Sequence, residues 1–374
     1  MELDANKIAA SRALIEQAQK IVIHTHMAPD GDAMGSALAL YHFVKGESQE
    51  PSAVSSQHSV QRSVCVIVPN AFPAFFNWMP GADEILIYEK QSAQCNALIA
   101  EADLFLCTDF NDPKRIGPIG EKMLQNPAPK ILIDHHIMDS RQPDQTCISQ
   151  EPRPKSQEPI WEVVFSFPET CSSCEIVYDF LKAVSGQLSA VSLQIATCIY
   201  TGLMTDTGNF SFNSTNCELY EIIADLIRAG IKKDEIYNAV FNQYSTDRLR
   251  LMGYALYRKM RIYPEHHLSL ITLSADELDR YHYQVGDTEG LVNMPLQIAD
   301  VYYSVYMREE RPKPGTPKPR IRISFRSQGD RPVNVWASEV FHGGGHMNAS
   351  GGEIFGSLDQ AVQLFEKTYR KYIR

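Results

Sequence analysis

Four short apolar runs punctuate the first third of the chain: Ile21-Val22-Ile23, Val64 to Val68, Leu104-Phe105-Leu106 and Ile131-Leu132-Ile133. Each has the length of a strand buried on both faces. Between them lie stretches with helical spacing, such as Ala33 to Val44. This alternation predicts βα units and a mostly parallel sheet. Met1 to Lys20 sets Glu2, Asp4 and Glu16 among Ala, Ile and Leu and reads as an amphipathic helix; Val191 to Met204 reads as a buried one. From Cys217 to Leu256 the pattern is helical, and strand-like segments return at Leu268 to Thr272 and Ile321 to Phe325. Three polar or proline-bearing stretches, Gly46 to Ser63, Gln142 to Glu158 and Glu309 to Arg320, read as loops inserted into this frame. The expected architecture is α/β: an N-terminal, mostly parallel-sheet domain with flanking helices over 1–230, a helical linker over 231–254, and a smaller α/β C-terminal domain over 255–374, with a cleft between the domains. No internal repeat is visible.

Composition narrows the class. A chain of 374 residues, 44% hydrophobic and 21% charged, is that of a soluble folded protein with room for two cores. The start lacks the basic and apolar regions of a signal peptide, and no stretch offers the ~20 apolar residues of a membrane span. A cytoplasmic protein without membrane contact is therefore expected. The eight cysteines are scattered and read as reduced thiols. Cys171-Ser-Ser-Cys174 has no second pair with which to form a zinc site and fits the first turn of a helix through Ile176, Val177, Phe180 and Leu181. A net charge of −10 speaks against tight binding of long nucleic acid. A small anion held through metal ions stays open, because bound cations dominate a local field.

Histidines and aspartates gather where the apolar runs end. His24-Thr25-His26, with Asp30 and Asp32 beyond it, follows the first; Cys107-Thr108-Asp109 follows the third; Asp134-His135-His136 follows the fourth. A helical stretch ends at Thr205-Asp206-Thr207-Gly208. Open α/β sheets form their sites outside the carboxyl ends of the strands, so these four segments are expected to converge. Taken singly each has a plainer reading: an exposed loop, a turn, or a helix cap. Their coincidence points to metal binding. Carboxylate with imidazole suits Mn²⁺, and less selectively Fe²⁺, Co²⁺ or Zn²⁺. So many aspartates in one pocket repel unless cations neutralise them, and a pair of ions about 4 Å apart is the natural solution.

The order His26-x-x-x-Asp30-x-Asp32, Asp109, Asp134-His135-His136, Asp206 resembles the DHH phosphoesterases. The surroundings match too, in Pro29-Asp-Gly-Asp-Ala-Met-Gly-Ser36, Asp109-x-x-Asp-Pro-x-Arg-Ile-Gly117 and Gly202-Leu-Met-Thr-Asp-Thr-Gly-Asn-Phe210. Ser324-Phe-Arg-Ser327, Asn334 and Phe341-His-Gly-Gly-Gly-His346-Met-Asn-Ala349-Ser-Gly351 look like the substrate-binding DHH-associated domain, so the likeness covers nearly the whole chain. The resemblance implies one metal held by His26, Asp30 and Asp109. It implies a second held by Asp32, Asp109, His135 and Asp206, with Asp109 bridging and a shared water supplying hydroxide near neutral pH. His136 is assigned to phosphate contact or protonation of the leaving oxygen, and Asp134 to orienting a histidine through its other ring nitrogen. His24 is expected to be packed rather than a ligand. Gly343, Gly344, Gly345 and His346, with Arg326 and Ser327, are expected to bind the substrate's phosphate or base.

Within the superfamily the likeness is greatest to bifunctional oligoribonucleases that also dephosphorylate adenosine 3′,5′-bisphosphate. The resemblance implies a Mn²⁺-dependent hydrolase of short oligoribonucleotides or linear dinucleotides such as pApA, acting as a homodimer. Alternatives are a cyclic di-AMP phosphodiesterase, a pyrophosphatase or exopolyphosphatase, and a nucleotide sensor with a dead site; the last predicts a lost ligand, whereas every motif position is filled.

Overall fold

The computed structural model describes residues 3–46, 62–137, 160–186, 191–312 and 318–373. The apolar runs become strands β1 (Lys20–His24), β2 (Ser63–Val68), β4 (Leu104–Thr108) and β5 (Lys130–Asp134), joined by β3 (Leu86–Ile87) and β6 (Val163–Ser166). All pair in parallel, in the order β3-β2-β1-β4-β5-β6. Helices α1 (Ala5–Gln17), α2 (Gly31–Val44), α5 (Ser173–Ser185) and α6 (Leu193–Asp206) share a core with Ile21, Ile23, Leu106 and Ile133. Helices α3 (Tyr88–Glu101) and α4 (Pro118–Gln125) share another with Val22, Phe105 and Leu132. Adjacent strand residues thus feed opposite faces, as the two-residue period requires, and both faces are covered.

Helices α7 (Cys217–Arg228) and α8 (Lys233–Phe241) complete a unit spanning Met1–Asn242; a second unit spans Gln243–Arg374. The second contains α9 (Thr246–Tyr254) and a six-stranded sheet of order β11-β12-β10-β9-β8-β7. Its strands are β7 (Arg261–Tyr263), β8 (Leu268–Leu273), β9 (Tyr303–Glu310), β10 (Arg320–Ser327), β11 (Gly344–His346) and β12 (Ala349–Phe355). Only β8 and β9 pair in parallel. The short α10 (Ala275–Arg280) lies between β8 and β9 in sequence. Ile321, Ile323 and Phe325 pack with Trp336 and Phe341 of α11 (Asn334–Phe341) and Phe365 of α12 (Leu358–Tyr372).

The loop expected at Gln142 to Glu158 lies outside the described residues, as does 47–61 of the one expected at Gly46 to Ser63. The third expected loop is shorter than read: Glu309 and Glu310 end β9 and Arg320 opens β10, while 313–317 lie outside the described residues. Among the described residues no helix is long and apolar enough to cross a membrane.

Candidate metal centre

The strand order reverses between β1 and β4, which are neighbours although β2 and β3 intervene in the chain. A crevice opens at the carboxyl ends of strands at such a point, and the aspartates and histidines meet there. Asp30 caps α2: its Oδ1 accepts from the main-chain N–H groups of Asp32 (3.1 Å) and Ala33 (3.0 Å). Its Oδ2 lies 3.8 Å from His26 Nε2. His26 Nδ1 is 3.0 Å from the Met27 carbonyl, which places a proton on Nδ1 and directs Nε2 at the carboxylates.

Asp109 is the hub. Its backbone is left-handed at φ 65°, uncommon for a residue with a Cβ, and its N–H donates to the Ile133 carbonyl at the end of β5 (3.0 Å). Its Oδ2 lies 3.2 Å from His26 Nε2 and its Oδ1 3.6 Å from His135 Nε2. His135 Nε2 is also 3.8 Å from Asp32 Oδ2 and 3.6 Å from Asp206 Oδ2, at the last residue of α6. Three groups share Asp109, namely His26–Asp30–Asp109, Asp32–Asp109–His135 and Asp109–Asp134–His136, each with its donor atoms within 4.8 Å of one another, and the first two are the clusters formed by the motif ligands. An ion about 2.0–2.2 Å from nitrogen and oxygen ligands holds those ligands roughly 3–3.5 Å apart, close to the separations found. The donor set fits a pair of divalent cations.

His136 is held otherwise. Its Nδ1 lies 2.8 Å from Asp134 Oδ1, and its main-chain N–H donates to Asp134 Oδ2 (3.1 Å). Asp134 thus holds His136 through both of its carboxylate oxygens. His24 is fully buried, with Nδ1 3.1 Å from the Ile67 carbonyl and its ring stacked on Phe105, away from both clusters.

The charges are strongly coupled to burial. Burial, and next the charge of Asp109, pushes the Asp32 carboxyl up to about 7 and that of Asp134 up to about 8. Burial works against a charged His26, but the Asp109 hydrogen bond and the Asp30 and Asp109 charges outweigh it and raise its pKa to about 9. Asp109 itself, despite burial, is held below the usual carboxylate range by His26, His135 and Arg115. His24 falls to about 4 through burial.

The amino end of α5 also belongs here, and sequence reading missed it. Asp32 accepts from the main-chain N–H groups of Ser173 (2.6 Å) and Cys174 (3.0 Å), and the Ser173 hydroxyl donates to Asp109 Oδ1 (3.0 Å). Arg115, quoted only as motif context, acts on His26, Asp109 and Asp134 through its charge. A Ser-Ser pair before a helix signals a cap; nothing in its spacing says which carboxylate it meets.

In the second unit, Arg326 of β10, Ala349 of β12 and His346 of β11 form one row across three strands and share a face. Ser327 points to the other face; it is buried, its hydroxyl donates to the Arg331 carbonyl, and it accepts from Asn348 Nδ2 (2.9 Å). The structure thus separates it from Arg326. The glycine run also differs from an open anion cradle. A Cβ on Gly343 would strike the Gly351 carbonyl, and one on Gly345 would lie 2.6 Å from the Ala349 carbonyl, so both permit β11 to lie against β12. The Gly343 N–H is already donated to the Ala337 carbonyl (3.0 Å). Gly344 alone faces open space.

The chain belongs to the DHH family of phosphoesterases: the model of the DHH family N-terminal domain matches residues 20–203, the region that carries most of the paired Asp/His clusters. The chain is 41% identical to an exopolyphosphatase-related protein from Bacteroides fragilis of known crystal structure, covering 99% of this chain and 97% of that one with a TM-score of 0.82. It is 25% identical over 360 residues to the bifunctional oligoribonuclease and PAP phosphatase NrnA of Thermus thermophilus, covering 94% of this chain and 89% of that one. Its namesake in Bacillus subtilis is 21% identical over 344 residues, covering 92% of each.

Proposed function

We propose that this protein hydrolyses short oligoribonucleotides and linear dinucleotides such as pApA to mononucleotides, and adenosine 3′,5′-bisphosphate to AMP, with two divalent ions, Mn²⁺ foremost. The observation that carries the reading is the pair of Asp/His clusters sharing Asp109. The relatives named for oligoribonuclease and PAP phosphatase activities, aligned over nearly the full length, support the choice of substrate. The two reactions are one chemically. Water attacks phosphorus, the bond from phosphorus to O3′ breaks, and a proton passes to O3′; only the group left on the phosphate differs.

His26, Asp30 and Asp109 would hold one ion, and Asp32, Asp109, His135 and Asp206 the other. Bound there, the ions lower the pKa of a water and offset charge on the phosphoryl oxygens. With its Nδ1 committed to Asp134, His136 presents Nε2 as the atom to contact phosphate or protonate O3′. Arg326 and His346, on one face of the second sheet, are the candidates for the nucleotide's remaining phosphate or base.

The relative named exopolyphosphatase-related favours a second reading, in which inorganic phosphate chains are cleaved at the same centre. The test offers the metal-stripped, Mn²⁺-reloaded protein pApA, adenosine 3′,5′-bisphosphate, cyclic di-AMP and pyrophosphate side by side. AMP release from the linear nucleotides, lost on chelation, is expected. Phosphate from pyrophosphate alone would transfer the protein to the second reading, and cleavage of cyclic di-AMP alone would replace the linear substrates.

A further inference from the structure

Ser173 is fully buried, and its hydroxyl donates to a carboxylate that lies far away in sequence, Asp109. The helix it opens does not need that hydroxyl. Ser172 is the cap of α5, accepting from the Glu175 N–H (3.3 Å), and the N–H groups of Ser173 and Cys174 are taken by Asp32. The Ser173 side chain therefore serves the centre rather than its own helix.

What it does there follows from the torsional softness of aspartate. The bond that rotates a carboxylate about its own axis has a broad, nearly two-fold profile, so Asp109 has little intrinsic preference for where each oxygen points. The shared site requires a definite answer, with Oδ2 at His26 and Oδ1 at His135. The hydroxyl, 3.0 Å from the oxygen that faces His135, favours one angle of the carboxylate plane, the quantity the soft torsion leaves open. Asp32 is held in the same way, one N–H to each oxygen. Three donors from two consecutive residues thus fix two carboxylates that come from different strand ends.

We propose that Ser173 is a positioning residue for the metal centre: its hydroxyl orients the shared Asp109, and its main-chain N–H, with that of Cys174, orients Asp32. The inference rests on the reading that these carboxylates bind divalent ions, and it reaches a residue that the motifs do not contain. Removing an outer partner of a metal ligand typically costs about 10–100-fold in metal affinity, and a loss of that size is expected of Ser173→Ala.

The experiment is calorimetric titration of Mn²⁺ into the full-length, metal-stripped protein, in its original form and as Ser173→Ala and Ser173→Thr, with the melting temperature of each metal-free form recorded alongside. Weakened binding in the alanine variant, largely restored by threonine, is the expected result. Unchanged Mn²⁺ affinity in Ser173→Ala, whatever happens to its melting temperature, overturns the proposal and leaves Ser173 a packing residue. Threonine as weak as alanine overturns it too, since the hydroxyl is then not the cause. If the alanine variant does not fold, Ser173→Cys, similar in size but a weak donor, takes its place, and undiminished affinity again overturns the proposal. No Mn²⁺ binding by the unsubstituted protein defeats the metal reading and this inference together. Binding without nucleotide turnover defeats only the choice of substrate.

Discussion

Asp109 serves two clusters because its backbone lets it. With φ at 65° and its N–H fixed to the Ile133 carbonyl, the residue turns sharply at the end of β4, and its side chain enters the space between His26 and His135. Asparagine tolerates that left-handed conformation as well as aspartate does, so Asp109→Asn should fold while losing the shared charge. Turnover should fall by more than the ~100-fold upper cost of losing an outer-sphere partner, and calorimetry should show Mn²⁺ binding impaired for both ions. Asp134→Asn should behave differently. It disturbs the atoms that hold His136, so activity should drop about 10–100-fold while Mn²⁺ affinity stays near that of the unsubstituted protein. Equal losses of metal binding in the two variants would mean that Asp134 is itself a ligand.

At the scale of elements, α2 and α6 approach closely because glycines meet along them. A Cβ on Gly35 would come within 2.5 Å of the Cys198 carbonyl. One on Gly202 would strike Cys174 Sγ and lie 2.9 Å from Asp32 Oδ1. Gly202→Ala therefore overfills the contact, at a cost of about 1–3 kcal/mol, and pushes directly on a site carboxylate. A lower melting temperature together with weaker Mn²⁺ binding is expected; the first without the second would show that α6 shifts and spares Asp32. The central strands were legible because runs such as Leu104-Phe105-Leu106 admit few other uses, and the site's principal residues because they follow those runs directly. The edge strand Leu86–Ile87 has only two residues, too few to carry a period. The second sheet was harder. β12 contains two glycines, a poor strand signal, yet a Cβ on Gly352 would lie 2.8 Å from the Phe341 carbonyl, so the packing demands what the pattern conceals. Ser173 stayed hidden for a similar reason: its partners are set by where α5 docks.

For the whole molecule, the centre makes metal-free stability depend on pH. Three groups hold protons in the folded state beyond the pH at which they lose them when unfolded: Asp32 to about 7, Asp134 to about 8 and His26 to about 9. Unfolded, their pKa values are about 3.9 for Asp and 6.5 for His. Between those limits the folded chain binds more protons, so stability falls as pH rises. The lowered pKa values of Asp109 and His24 act in the opposite direction, that of Asp109 only at acid pH and that of His24 up to about neutrality, where the three raised groups outweigh it. The melting temperature of chelator-treated protein should thus decline from pH 6 to pH 9, and saturating Mn²⁺ should flatten the decline by replacing protons with cations. A melting temperature that rises over this range would contradict the assigned burial of these groups.

The strand order bears on the lifetime of the folded state. β1 pairs with β4 across all of α2, β2, β3 and α3, and the donor atoms come from segments running from His26 to Asp206. Such distant pairing is slow to nucleate, and a partly folded chain has the donors but not their arrangement. A cation would then find its full site only after the rate-limiting step. Stabilisation that arrives so late lowers the unfolding rate and leaves the refolding rate alone. Mn²⁺ would act as a latch on a finished molecule, lengthening its survival against heat and proteases without hastening its assembly.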